Sequence, residues 1–209
     1  METSKLRDLT VSAFMAETAS SSPAPGGGSI AALGAASAAA LIAMVAHLTV
    51  GKEAYASVQD EMADIAAKAT AMKDRFVEFI DEDTAAFTKI MDAFKLPKGT
   101  DEEKALRTAA IQFATKDAAE VPYNIGELAN ELLPLAEAVI LRGNTNAVTD
   151  GAVAAMNART AVHSAFLNVK INLGSIKDEA FVAALAEKMS RIEADLDMRE
   201  QAVMAQVKL

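Results

Sequence analysis

Apolar residues recur at steps of three and four along most of the chain, a period that predicts helices nearly throughout. The longest run is Val58, Met62, Ile65, Ala69, Met72, Phe76, Phe79, Ile80, Phe87, Ile90, Met91 and Phe94, which reads as one very long helix. Leu6, Leu9 and Ala13 predict a short helix ahead of it. Leu96-Pro97-Lys98-Gly99 ends the long helix, and Thr100-x-x-Glu103 restarts one as a capping box. Pro122 is expected to stop or kink that helix, with another following to about Leu141. Gly143-Asn144-Thr145-Asn146 then reads as a turn of residues that tolerate left-handed backbone, before helices near 149–173 and 178–207. No period-two alternation suggests a strand. The expectation is a single all-α domain over residues 1–209, a multihelical bundle of about seven helices with a long central helix.

Residues 30–50 interrupt the amphipathic pattern, because they contain no Asp, Glu, Lys or Arg. The stretch is long enough for a membrane span, but nine of its residues are Ala and Gly34, Ser37, His47 and Thr49 dilute it further. A buried helix fits better, its small side chains letting neighbouring helices approach closely, with His47 as a hydrogen-bonded core histidine. Pro23-Ala24-Pro25-Gly26-Gly27-Gly28-Ser29 leads into it. Two prolines extend the entry, three glycines allow close backbone approach, and the helix start offers free N–H groups. This is the physics of an anion-holding or substrate-lining loop, or of a tight connection. The Lys-[Ser/Thr] ending of a phosphate loop is missing. Ser29 lies outside any Gly-x-Ser-x-Gly elbow and reads as a helix cap rather than a nucleophile.

Two polar constellations stand against the apolar background. Asp83, in Asp81-Glu82-Asp83, falls seven residues after Phe76 and four before Phe87, on or beside the face that should be buried. A buried carboxylate is either paired in a salt bridge or raised in pKa toward the range useful for general acid–base work. Asp81 and Glu82 read as solvated. Asp150, Asn157, Ser164, Asn168 and Asn172 recur at seven, seven, four and four residues, within one helical arc of roughly 80°. A face of amides and a hydroxyl is suited to hydrogen-bonding a ligand or a facing helix. His163 falls off this arc and reads as structural.

Composition narrows the function classes. The chain has 209 residues, no Cys and a net charge of −9, which excludes thiol chemistry and argues against nucleic acid as a partner. Two isolated histidines argue against a zinc site, so no metal is expected. No cationic leader with a cleavage site is visible, and a cytoplasmic protein outside the membrane is the expectation.

The Pro23 to Ser29 loop with its Ala-rich helix joins Leu48-Thr49-x-Gly51-Lys52-x-x-Tyr55, Asp81-x-Asp83-x-x-Ala86-Phe87, Leu96-Pro97-Lys98-Gly99-Thr100-x-Glu102-Glu103-Lys104, Gly143-Asn144 and Leu167-Asn168-Val169-x-Ile171-Asn172-Leu173. Together, in this order over nearly the whole chain, they resemble the cyclodeaminase domain of formiminotransferase-cyclodeaminase. That family includes stand-alone bacterial methenyltetrahydrofolate cyclohydrolases of the serine-cycle type. Thr149-Asp150-Gly151-Ala152-Val153 departs from the family's usual residue order.

The resemblance implies a folate one-carbon enzyme. Formiminotetrahydrofolate cyclodeaminase leads, methenyltetrahydrofolate cyclohydrolase is the alternative, and a non-catalytic folate-binding helical dimer is a third reading. It implies Asp83 as the proton carrier, with Asp81 as its neighbour or substitute and Asp150 as second choice. Lys52 and Tyr55 would fix a carboxylate or position Asp83. Pro25, Gly26, Gly27, Gly28 and Ser29 would line the pterin, and Asn144, Asn168 and Asn172 would hydrogen-bond it. Lys98, Lys104 and Arg107 are candidates for the glutamate tail. No cofactor beyond the tetrahydrofolate substrate and a homodimer complete the expectation.

Overall fold

The computed structural model describes residues 5–208, and among them every regular element is helical. The opening segment forms two pieces rather than the single short helix expected. A 3₁₀ turn, Leu6–Asp8, is followed by α1, Val11–Thr18, because Thr10 adopts extended backbone and caps α1 by accepting from the Ala13 amide. α2 spans Gly27–His47, beginning three residues earlier than the uncharged run suggested and ending before Thr49. A 3₁₀ stretch, Glu53–Val58, leads into α3, Gln59–Phe94, a continuous helix of 36 residues. α4 is Asp101–Asn130, started by the complete Thr100/Glu103 capping box. α5 is Leu132–Arg142, a 3₁₀ turn covers Thr145–Ala147, and α6, Val148–Leu173, precedes α7, Glu179–Met204.

α4 does not stop at Pro122; it runs past it to Asn130, and the boundary with α5 falls at Glu131 instead. The turn after α5 is also not left-handed: Gly143 is extended, and Gly51 alone among the described residues has positive φ, at 79°. Gly143 is required by closeness, since a Cβ there would lie 2.4 Å from the Val139 carbonyl oxygen.

α2 packs between α3 and α6, and α4 packs against both α3 and α6, while α5 and α7 cover the outside of α6. Ala32, Ala35, Ala38, Ala39 and Ala46 on α2 are fully buried, so the helix axes approach closely at these points. α2 is long and apolar enough to cross a membrane, with mean hydropathy 2.0, but 61% of that stretch is buried inside the chain. The face it leaves outward carries Ser37, Ala40, Met44 and His47. His47 is thus exposed on the last turn of α2, not a core residue. On α3 the expected stripe divides: Met62, Ile65, Ala69, Met72, Phe76, Phe79 and Ile80 enter the core, whereas Phe87 and Ile90 reach a cavity and Met91 and Phe94 face outward.

Candidate active site

The cavity lies where the start of α2 meets the last third of α3, the middle of α4 and the end of α6, and its volume is about 340 Å³. Gly26, Gly27 and Gly28 form one wall with Pro23 and Ala24. Asp83, Thr84, Phe87 and Ile90 supply the next, and Ala118, Asn168, Ile171 and Asn172 close the opposite side.

Asp83 is turned into this cavity from α3 by the helical step that keeps residues 76, 80, 83 and 87 on one side. Burial pushes its carboxyl above the ordinary carboxylate value of 3.8, against the lowering effect of hydrogen bonds from the Ser29 hydroxyl and the Ser29 backbone amide. The positive end of α2 has therefore received a carboxylate from its own chain. No cation among the described residues forms an ion pair with Asp83. Gly28 makes this contact possible: a Cβ at that position would sit 2.0 Å from Asp83 Oδ1. A Cβ on Gly27 would meet the Asn168 amide at 2.9 Å.

Ser29 is not the cap of α2, because Gly26 holds that position. Ser29 lies fully buried in the first turn, its Oγ 3.1 Å from the Ile80 carbonyl and 3.0 Å from Asp83 Oδ2. One hydroxyl hydrogen serves both acceptors, so it follows the charge on Asp83. Thr84 Oγ1, 3.3 Å from Ser29 Oγ, completes the polar floor.

Asn168 and Asn172 reach the cavity from α6, whereas Asp150, on the same arc, lies eighteen residues away in the first turn of that helix. Pro25 is buried in the loop beside the cavity, following a cis Ala24–Pro25 bond, and does not line it. Asp81 faces elsewhere: its Oδ1 accepts from the Leu6 and Arg7 amides, and Arg7 Nε stands 3.3 Å from Oδ2. It fixes the opening 3₁₀ turn onto α3 and does not line the cavity. Glu82 is engaged by Arg75.

Lys52, Tyr55 and Asn144 gather at the opposite end of α2, about 30 Å from Gly27 at 1.5 Å per residue. Asn144 is buried, its amide donating to the Leu48 carbonyl at 3.0 Å and accepting from the Asn146 amide at 3.1 Å, while its own backbone N–H meets Thr49 Oγ1 at 2.8 Å. Tyr55 Oη accepts from the Thr145 amide at 3.0 Å. Lys104 pairs with Asp101 and Arg107 with the Phe94 carbonyl, and neither these nor Lys98 lines the cavity. Sequence reasoning named Phe87, Ile90 and Ile171 without assigning them to the site, and passed over Thr84 and Ala118. Ile90 could have been found by stepping seven residues along the α3 face from Asp83, and Ile171 by its place between two singled-out asparagines.

The class defined by these features is an all-α protein with one desolvated carboxylate, hydrogen-bonded by Ser29 but without an ion-pair partner among the described residues, set against a glycine wall. Comparison with other proteins gives it a family. The sequence model of formiminotransferase-cyclodeaminase matches residues 10–191. A methenyltetrahydrofolate cyclohydrolase of Methylorubrum extorquens is 37% identical over 199 residues, covering 95% of this chain and 96% of that protein. The formimidoyltransferase-cyclodeaminase of Rattus norvegicus is 32% identical over 90% of this chain, which spans only 35% of that longer protein. A formiminotetrahydrofolate cyclodeaminase from Thermotoga maritima superposes with a TM-score of 0.86 at 29% identity, covering 97% of this chain and 98% of its own. The chain belongs to the formiminotransferase-cyclodeaminase family.

Proposed function

We propose that the chain is a folate one-carbon enzyme, a formiminotetrahydrofolate cyclodeaminase. The observation that carries this reading is Asp83, desolvated, raised in pKa and set against the start of α2. In the reaction the anilinic nitrogen of the folate attacks the carbon of the formimino group, whose own nitrogen carries the activating proton, giving a tetrahedral centre with two ring nitrogens and one amino group. Asp83 accepts the proton of the attacking nitrogen and returns it to the amino group, which leaves as ammonia and yields the methenyl cation. A carboxylate near that cation also stabilises it. Phe87, Ile90 and Ile171 supply an apolar wall for the aromatic parts, and Asn168 and Asn172 supply amides for the pterin edge.

The 37% identity to a cyclohydrolase of matching length favours a second reading. There Asp83 activates water against the methenyl carbon to give formyltetrahydrofolate, releasing one proton. Incubating the protein separately with formiminotetrahydrofolate and with methenyltetrahydrofolate, and following the methenyl absorbance, separates the two. If neither compound changes faster than in buffer, the enzyme reading fails and the folate-binding dimer remains.

Lys52 and Tyr55 join this reading through a homodimer. Gly34 sits within α2 where a Cβ would meet nothing within 4 Å, a costly residue with no packing reason inside the protomer. It shares the outward face with Ser37 and Met44, so a two-fold axis there would lay one α2 antiparallel to its partner. The Lys52 end of one chain would then lie beside the Gly27 end of the other. Mixing Asp83→Asn and Lys52→Ala chains, each inactive alone, is expected to restore about a quarter of wild-type activity through mixed dimers. A mixture as inactive as its parts would put Lys52 outside the partner's site. The family's chemistry fits a cytoplasmic location.

A further inference from the structure

Pro122 is buried in the interior of α4, although a proline there weakens a helix. It brings no N–H, and its ring crowds the carbonyl four residues earlier, so the Ala118 oxygen lacks its usual helical donor. That oxygen accepts instead from Asn172 Nδ2 of α6 at 2.8 Å. The second Nδ2 hydrogen goes to the Asn168 carbonyl at 3.0 Å. Both neighbours are carbonyl acceptors, so turning the amide over would place oxygen against oxygen. Asn172 is held in one orientation, and its Oδ1, without a partner among the described residues, is left for the cavity that Asn172 lines.

We propose that Pro122 is a positioning residue of the substrate site. By withholding an N–H from Ala118 it gives that carbonyl to Asn172, and so fixes Asn172 Oδ1 as an acceptor for a ring N–H of the pterin. The inference rests on the folate reading and adds to it the device that orients one of its amides. An amide free to turn would offer N–H and oxygen alternately; this one offers oxygen alone, which selects a ligand edge that donates.

The test uses Pro122→Ala, the bulkier Pro122→Val in case the smaller residue leaves α4 loosely packed, Asn172→Ala and the double variant Pro122→Ala/Asn172→Ala. Tetrahydrofolate binding is measured by calorimetry, together with KM, kcat and melting temperature. Restoring the N–H at 122 is expected to weaken tetrahydrofolate binding roughly 5- to 10-fold, the equivalent of one ordinary hydrogen bond. KM rises more than kcat falls, and the melting temperature stays level or increases because the helix regains a bond. In the free protein, the side-chain amide protons of Asn172 exchange faster in Pro122→Ala than in the wild type. The double variant binds no more weakly than Asn172→Ala alone.

Wild-type affinity in both Pro122 variants, with Asn172→Ala weakened, overturns the positioning role while leaving the folate site intact. Independent, additive losses in the double variant overturn it as well, since Pro122 would then act by another route. Wild-type affinity in Asn172→Ala, or no tetrahydrofolate binding by the wild type, removes the folate contact itself and the proposal with it.

Discussion

The two ends of α2 are built from similar materials and differ in what is left over. At the far end, Asn144, Thr49, Leu48, Tyr55 and Thr145 engage one another, and the Asn144 amide uses both its oxygen and its nitrogen on the chain itself. At the near end Asp83 has only Ser29 to bond, and Asn172 keeps an oxygen free. Both clusters contain glycine, asparagine and a hydroxyl. A polar cluster with every bond made holds a fold together; one with bonds outstanding is prepared for a ligand.

The largest expected break in this contrast is Asp83→Asn, which should lower turnover about 100-fold or more, the scale of general acid–base catalysis, with the fold preserved. Near-wild-type turnover would remove Asp83 from the mechanism. The same variant should melt higher at neutral pH. A carboxyl whose folded pKa lies above 3.8 opposes folding once ionised, so its favourable share is full below that value and is lost as pH rises through the folded pKa. The difference in melting temperature should therefore vanish in acid. A gain that persists below pH 3.8 would show a different origin.

Next in size is Gly28→Ala. Its Cβ cannot stand 2.0 Å from Asp83 Oδ1, so the carboxylate must move, with an expected loss of about 10- to 100-fold in kcat. Gly27→Ala meets only an amide that can rotate, and should affect KM more than kcat. Equal losses from both would mean that the loop's flexibility matters rather than its fit to Asp83.

Asn144→Ala, at the other end, should cost about 2–3 kcal/mol of stability through two lost side-chain hydrogen bonds, read by denaturant unfolding. KM should stay close to wild type; a large rise would make Asn144 a ligand contact. The smallest effect belongs to Ser29→Ala. Its hydroxyl lowers the pKa of Asp83, so the acid limb of the rate profile should shift to higher pH. A shift to lower pH, or none, would break the link between the two side chains.

Much of this arrangement was legible in order along the chain. The period of the apolar stripe placed Asp83 on the inward face, and the amide arc placed Asn168 and Asn172 together on α6. What the period cannot show is which groups meet across helices. Ser29 read as a cap because local rules see only neighbours in sequence, and its actual partner is 54 residues away. Pro122 read as a stop or kink for the same reason, since Asn172, which takes over the Ala118 carbonyl, lies 54 residues from Ala118. Asp81 and Asp83 look alike in sequence. Two helical steps, about 200° in all, turn them to different neighbours, a backbone turn for one and a cavity for the other.

The uncharged α2 also has a consequence during synthesis. Its residues leave the ribosome before α3, and α6, which covers its other side, begins at Val148. At elongation rates of about 5–20 residues per second, a helix with the hydropathy of a membrane span waits about 6–25 seconds until the end of α6, its full covering, has been made. The nascent chain therefore presents a transient binding stretch for chaperones, and slower translation between α2 and α6 should lengthen the time in which it can aggregate.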